Sequence, residues 1–152
     1  MPLTFRQLLC LFLLMVCQAV RADLLSDIGH TRLAAELGAA MPTGAGIVLV
    51  QSEANNIESP PNYLPQAGGP GPFAGAGLFT GKTFHPESGA GTDMGHAVAV
   101  AGYFYGGGIG VARGATEIHN YTAIDFITRL TDGFTPEVFP GRVQNHSWAG
   151  SL

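Results

Sequence analysis

Gly95-His96-Ala97-Val98-Ala99-Val100-Ala101-Gly102 and, past a glycine loop, Thr116-Glu117-Ile118-His119-Asn120-Tyr121 decide how this chain reads. The first run places an imidazole on a bed of small residues at the mouth of a helix, where it can do proton work. Gly110-Val111-Ala112-Arg113-Gly114-Ala115 then turns the chain into the second run, a strand from about Ala115 to Tyr121. Helix, glycine loop and strand in quick succession are the order of an α/β protein.

Working outward, Ile47-Val48-Leu49-Val50 is a β-branched, apolar run that reads as a strand buried on both faces, with Gln51-Ser52-Glu53 at its carboxyl end. Downstream, Ala123, Phe126, Ile127 and Leu130 share one helical face. Arg142 to Trp148 reads as a third strand. Strands separated by helices imply a parallel sheet with right-handed crossovers. Upstream, Ile28, Leu33 and Leu37 recur at helical spacing, so Ser26 to Leu37 reads as a short surface helix stopped by Gly38. Between the first strand and His96, residues 54–92 are dense in glycine and proline, a composition expected to defeat helix and strand alike. Tyr63, Leu64, Phe73, Leu78, Phe79 and Phe84 are too apolar for a solvated tether, which favours a packed insertion over a linker.

Residues 1–22 read as a secretory leader: Arg6 and the free amine, an apolar run from Leu8 to Val16, and small residues around a cut before Asp23. The run is short of the roughly 20 apolar residues that a membrane span needs, so no stable membrane insertion is expected after cleavage. An uncleaved anchor is the alternative, and Val16 before Cys17 disfavours lipidation. Residues 23–152 keep five of the seven basic residues and all eleven acidic ones, a net charge of −6. Nucleic acid is a poor partner for such a surface. Cys10 and Cys17 leave with the leader, so the mature 130 residues carry neither a disulfide nor thiol chemistry.

Four landmarks occur in order: Gly46-Ile47-Val48-Leu49-Val50-Gln51-Ser52-Glu53, Gly95-His96 with Val100-Ala101-Gly102, Gly110-Val111-Ala112, and Val143-Gln144-Asn145-His146-Ser147-Trp148-Ala149-Gly150. Together they resemble the amino-terminal part of the catalytic domain of the subtilisin-like serine protease (subtilase) family, over about Ile28 to Gly150. The resemblance implies an α/β fold, a parallel sheet with flanking helices, apparently truncated after about three strands. It also implies a secreted endopeptidase acting on peptide or protein substrates. On this reading residues 23–152 form a partial peptidase domain.

A serine hydroxyl is a poor nucleophile until an imidazole takes its proton, and the imidazole needs an acid on its other nitrogen. The resemblance makes His96 the general base and Glu53 the acid, in a place where the family has Asp. The glutamate is one methylene longer, so either the strand end recedes or the histidine is held differently. Ser147, Trp148 and Ala149 correspond to the edge that binds an extended peptide substrate, and Asn145 to a structural position. Ala97-Val98 stand where the family has Gly-Thr, and Arg113 where a proline is common. No serine of the chain has the Gly-Thr-Ser neighbours of the family's nucleophile, and the oxyanion asparagine is missing too. The chain therefore reads as a fragment inactive by itself.

Each of these residues has a plainer reading. His96 could be a helix cap or a core histidine, and Glu53 a loop-capping or cation-binding carboxylate. Asp93 reads as a solvated loop acid. His30, His85, His119 and His146 lack zinc spacing and read as surface or core residues, so no metal ligand is assigned. Calcium enters only through the resemblance, without assignable ligands. Asn120-Tyr121-Thr122 and Asn145-His146-Ser147 match glycosylation sequons on strands. Two other functional classes stay open beside the peptidase: a non-catalytic, protease-derived peptide-binding module and a secreted structural domain. The oligomeric state is unreadable.

Overall fold

The computed structural model describes residues 24–55, 59–65, 77–131 and 135–148. Residues 1–22, read as a leader, and Ala149 lie outside the described residues.

The chain divides into two units, residues 1–39 and 40–152. In the first, the helix expected over Ser26–Leu37 is two helices, α1 (Leu24–Asp27) and α2 (His30–Leu37). Gly29 separates them with φ of 78°, a left-handed conformation open to glycine at no steric cost. Gly38 caps α2 by donating its N–H to the Ala34 carbonyl. Leu24, Ile28, Leu33 and Leu37 are all exposed.

The second unit is built on a four-stranded, wholly parallel sheet. Its strands are β1 (Leu49–Glu53), β3 (Thr83–Pro86), β5 (Glu117–Thr122) and β6 (Val143–His146), in the order β3-β5-β1-β6. A second parallel pair joins β2 (Asn62–Leu64) to β4 (Thr92–Asp93). Helices α3 (Gly95–Phe104) and α4 (Ala123–Thr131) complete it. The coarse α/β expectation holds, but the strand count does not: β2, β3 and the start of β4 lie within residues 54–92, where no strand was expected. Each is only two to four residues long. Pro86 ends β3 at the sheet's edge, where proline breaks no ladder from the outer side.

Successive strand residues point to opposite faces, so β1 sorts its neighbours. Leu49 packs with Val98, Ala101, Tyr105, Ala115, Ile118 and Phe79 on the α3 face. Val50 packs with Tyr121, Phe126 and Phe139 on the α4 face. The helices therefore cover opposite faces. The steps β3 to β5 and β5 to β6 nevertheless run in the same direction across the sheet, so the crossovers through α3 and α4 have opposite hands. One of them is of the left-handed kind seen in about 2% of such units, which corrects the expectation of right-handed crossovers throughout. All five residues of β1 are buried, including Gln51, Ser52 and Glu53. The strand thus runs through the polar tripeptide at its carboxyl end and begins at Leu49, two residues after the start of the apolar run.

Candidate functional site

Glu53 is the last residue of β1, at the carboxyl end of a parallel sheet. Beyond it the chain runs to β2, which packs beside α3, whereas the chain leaving the neighbouring β5 enters α4 on the other face. Adjacent strands whose connections part to opposite faces leave a crevice at their carboxyl ends, the usual ligand position in open α/β sheets.

The β2–β4 pair sets the entry of α3. Thr92 N–H donates to the Pro61 carbonyl and Met94 N–H to the Leu64 carbonyl, so the chain is anchored two residues before His96. Ala97 and Ala101 press on the sheet with no exposed surface, a close approach allowed by their short side chains. His96, one position before Ala97, lies over the strand end. Its Nδ1 is 2.8 Å from Oε2 of Glu53. Half of the His96 side chain is exposed and none of Glu53 is. The structure thus brings together the two residues singled out for acid–base work. β1 stays paired through position 53, so the carboxylate reaches His96 from the last residue of an intact strand.

Behind the pair lies a polar layer that the sequence reading did not assign. The Gln51 side-chain amide donates to Oε1 of Glu53 over 2.7 Å and to the Ala97 carbonyl over 3.0 Å. Its oxygen accepts from the Tyr105 hydroxyl at 2.5 Å. Asn120, the register partner of Gln51 on β5, faces the same layer beside Tyr105 without closing a well-formed side-chain hydrogen bond. Two signals could have found this layer. Gln51 and Glu53 are two apart on a strand, hence on one face, and Tyr105 follows Ala97 and Ala101 at helical i, i+4 spacing.

Burial raises the Glu53 carboxyl above its ordinary pKa, against the opposing pull of the Gln51 N–H and of His96. Burial also pushes the Tyr105 phenol well above its usual range, and the Glu53 charge adds to this. Tyr105 is therefore a neutral donor at every ordinary pH. With an ionised carboxylate accepting at Nδ1, the neutral imidazole carries its proton there and keeps a lone pair on Nε2.

The remaining candidates lie elsewhere. Ser52, next to Glu53, faces the α4 side and accepts from the Trp148 indole N–H at 3.2 Å. Ser88 donates to Asp125. Ser147 and Trp148 are half-buried and follow β6 rather than belonging to it, because the strand ends at His146. This shortens the strand read over Arg142–Trp148. β6 has no strand partner on its outer side among the described residues. Asp93 is half-buried in β4 rather than solvated in a loop.

On the α4 face His85 and His119 stack at 4.4 Å between ring centroids. His85 pairs with Glu117 at 2.8 Å and His119 with Glu87 at 2.6 Å. Among the described residues no group of three or more His, Cys, Asp or Glu is placed to hold a metal ion, and calcium has no assigned ligands. No described helix is long and apolar enough to cross a membrane. No family model, curated protein or solved structure matches the chain.

Proposed function

We propose that the chain belongs to a secreted serine endopeptidase of the subtilisin-like kind, with His96 as general base and Glu53 as the acid that orients it. The observation that carries this reading is the 2.8 Å contact between a buried carboxylate and Nδ1 of a half-exposed imidazole. In such a site the Nε2 lone pair takes the proton of an attacking serine hydroxyl and later passes it to the leaving amine. Glu53 holds the tautomer and steadies the imidazolium between the two steps. The nucleophile is not assigned to a serine described here: Ser52 faces away and Ser88 is engaged with Asp125. On this reading residues 23–152 bind peptide without cleaving it, Ser147, Trp148 and Ala149 border the substrate, and residues 1–22 direct export.

The test is hydrolysis of a peptide library by the longest reading frame that contains the chain, beside its His96→Ala and Glu53→Gln forms. Loss of the base is expected to lower kcat on the order of 10⁴-fold or more. Undiminished cleavage by the His96→Ala form would remove His96 from the mechanism. Peptide binding without any cleavage by the parent would favour a non-catalytic binding module.

A further inference from the structure

We propose that Gln51 is the positioning residue of this site, holding Glu53 ionised and aimed at His96, and that Tyr105 sets the direction in which the Gln51 amide points. The proposal rests on the acid–base reading of Glu53 and His96.

Gln51, Glu53 and Tyr105 have no exposed surface, so their polar atoms must find partners within the protein. A primary amide offers two N–H donors and one acceptor oxygen. Both donors of Gln51 are used, one on Glu53 and one on the Ala97 carbonyl, and its oxygen is used by Tyr105. The opposite orientation of the amide would set its oxygen against the Glu53 carboxylate and the Ala97 carbonyl, two contacts between acceptors. Tyr105 supplies the matching donor at the other end. Three groups from two elements therefore select one orientation, the one that presents N–H to the acid.

Two consequences follow for the pair. An N–H bonded to a buried carboxylate favours its charged form against desolvation. Ala97 also directly follows His96, so the same amide ties the acid to the helical turn that carries the base. One side chain thereby fixes both the charge and the separation of the pair. A leucine or methionine at position 51 would fill the space and do neither.

The experiment follows the Glu53 side-chain carboxyl carbon and the His96 ring nitrogens by NMR through a pH titration of the full chain. The parent, Gln51→Met, Tyr105→Phe and Glu53→Gln forms are compared. Gln51→Met is expected to move the Glu53 titration upward by at least about one pH unit. Tyr105→Phe is expected to move it the same way by less, with a changed Gln51 side-chain amide resonance. A merely structural role for Gln51 would lower the melting temperature and leave the titration in place. If Gln51→Met does not fold, Tyr105→Phe, which removes a single oxygen, carries the comparison. A Glu53 titration unmoved in Gln51→Met and Tyr105→Phe, with the His96 signals altered in Glu53→Gln, overturns the proposal while leaving the acid–base pair intact. If Glu53→Gln leaves the His96 titration as in the parent, the pairing itself fails, and the role of Gln51 with it.

Discussion

Nδ1 of His96 lies 2.8 Å from Oε2 of Glu53, yet the two side chains meet solvent to opposite degrees, half-exposed for the histidine and fully enclosed for the acid. A carboxylate enclosed in this way costs stability through desolvation, which the Gln51 N–H and the imidazole offset only in part.

Glu53→Gln is accordingly expected to stabilise the protein at neutral pH by about 1 kcal/mol, the usual size of a single stabilising substitution. Burial raises the Glu53 pKa, so folding favours its protonated form. Its contribution to stability is full below the ordinary carboxylate pKa and is lost as the pH climbs through the raised value. The advantage of the glutamine form should therefore be present at pH 7 and close in acid. Thermal melts of both proteins across that range check it.

Glu117 behaves in the opposite sense. The hydrogen bond to His85 holds its carboxyl below the ordinary pKa. The contribution is present above the unfolded value and lost as the pH falls through the depressed one. Glu117→Gln should thus be less stable than the parent near pH 6, with the two converging at the acid end. Urea midpoints at several pH values read this directly.

Gly141→Ala should destabilise by about 1–3 kcal/mol through overpacking. A Cβ at this position would stand 2.9 Å from the Val50 backbone nitrogen and 2.5 Å from its Cγ2. Neither the central strand nor a β-branched side chain can give way. A denaturant midpoint shifted downward with an unchanged slope is the expected signature.

Phe126→Ala should cost about 3–5 kcal/mol. The ring is buried on the α4 face, stacked on Phe139 at 4.2 Å and edge-on to Tyr121 at 5.7 Å. Equilibrium unfolding measures the loss. Because Phe126 lies on the face opposite Glu53, the His96 titration should be unchanged wherever the variant stays folded.

The alternation of helix and strand around His96 was legible because small-residue and β-branched runs differ in period and length. The meeting of Glu53 with His96 was legible for a simpler reason, a carboxylate at a buried strand's end and an imidazole at a helix mouth. Less was visible where polar residues carry the structure. Gln51 and Ser52 sit inside β1, and hydrophobic patterning counts such residues as an end. β3 escaped notice because four residues ending in proline give no period to detect. The opposed hands of the crossovers through α3 and α4 depend on which face each helix covers, a matter of tertiary packing that spacing along the chain does not encode. The layer of Gln51, Tyr105 and Asn120 left spacing signals in the sequence, but which of its groups meet across the strand and the helix is again a matter of tertiary packing.

β1 is hydrogen-bonded to β5 on one side and β6 on the other, and both come later in the chain. During synthesis the ribbon bearing the acid emerges first and waits with both edges bare while most of the remaining polypeptide is made. Its ladders close only across long loops, a topology of high contact order that assembles slowly. Nascent chains of this protein are thus most exposed to misassociation before residue 146 has left the ribosome.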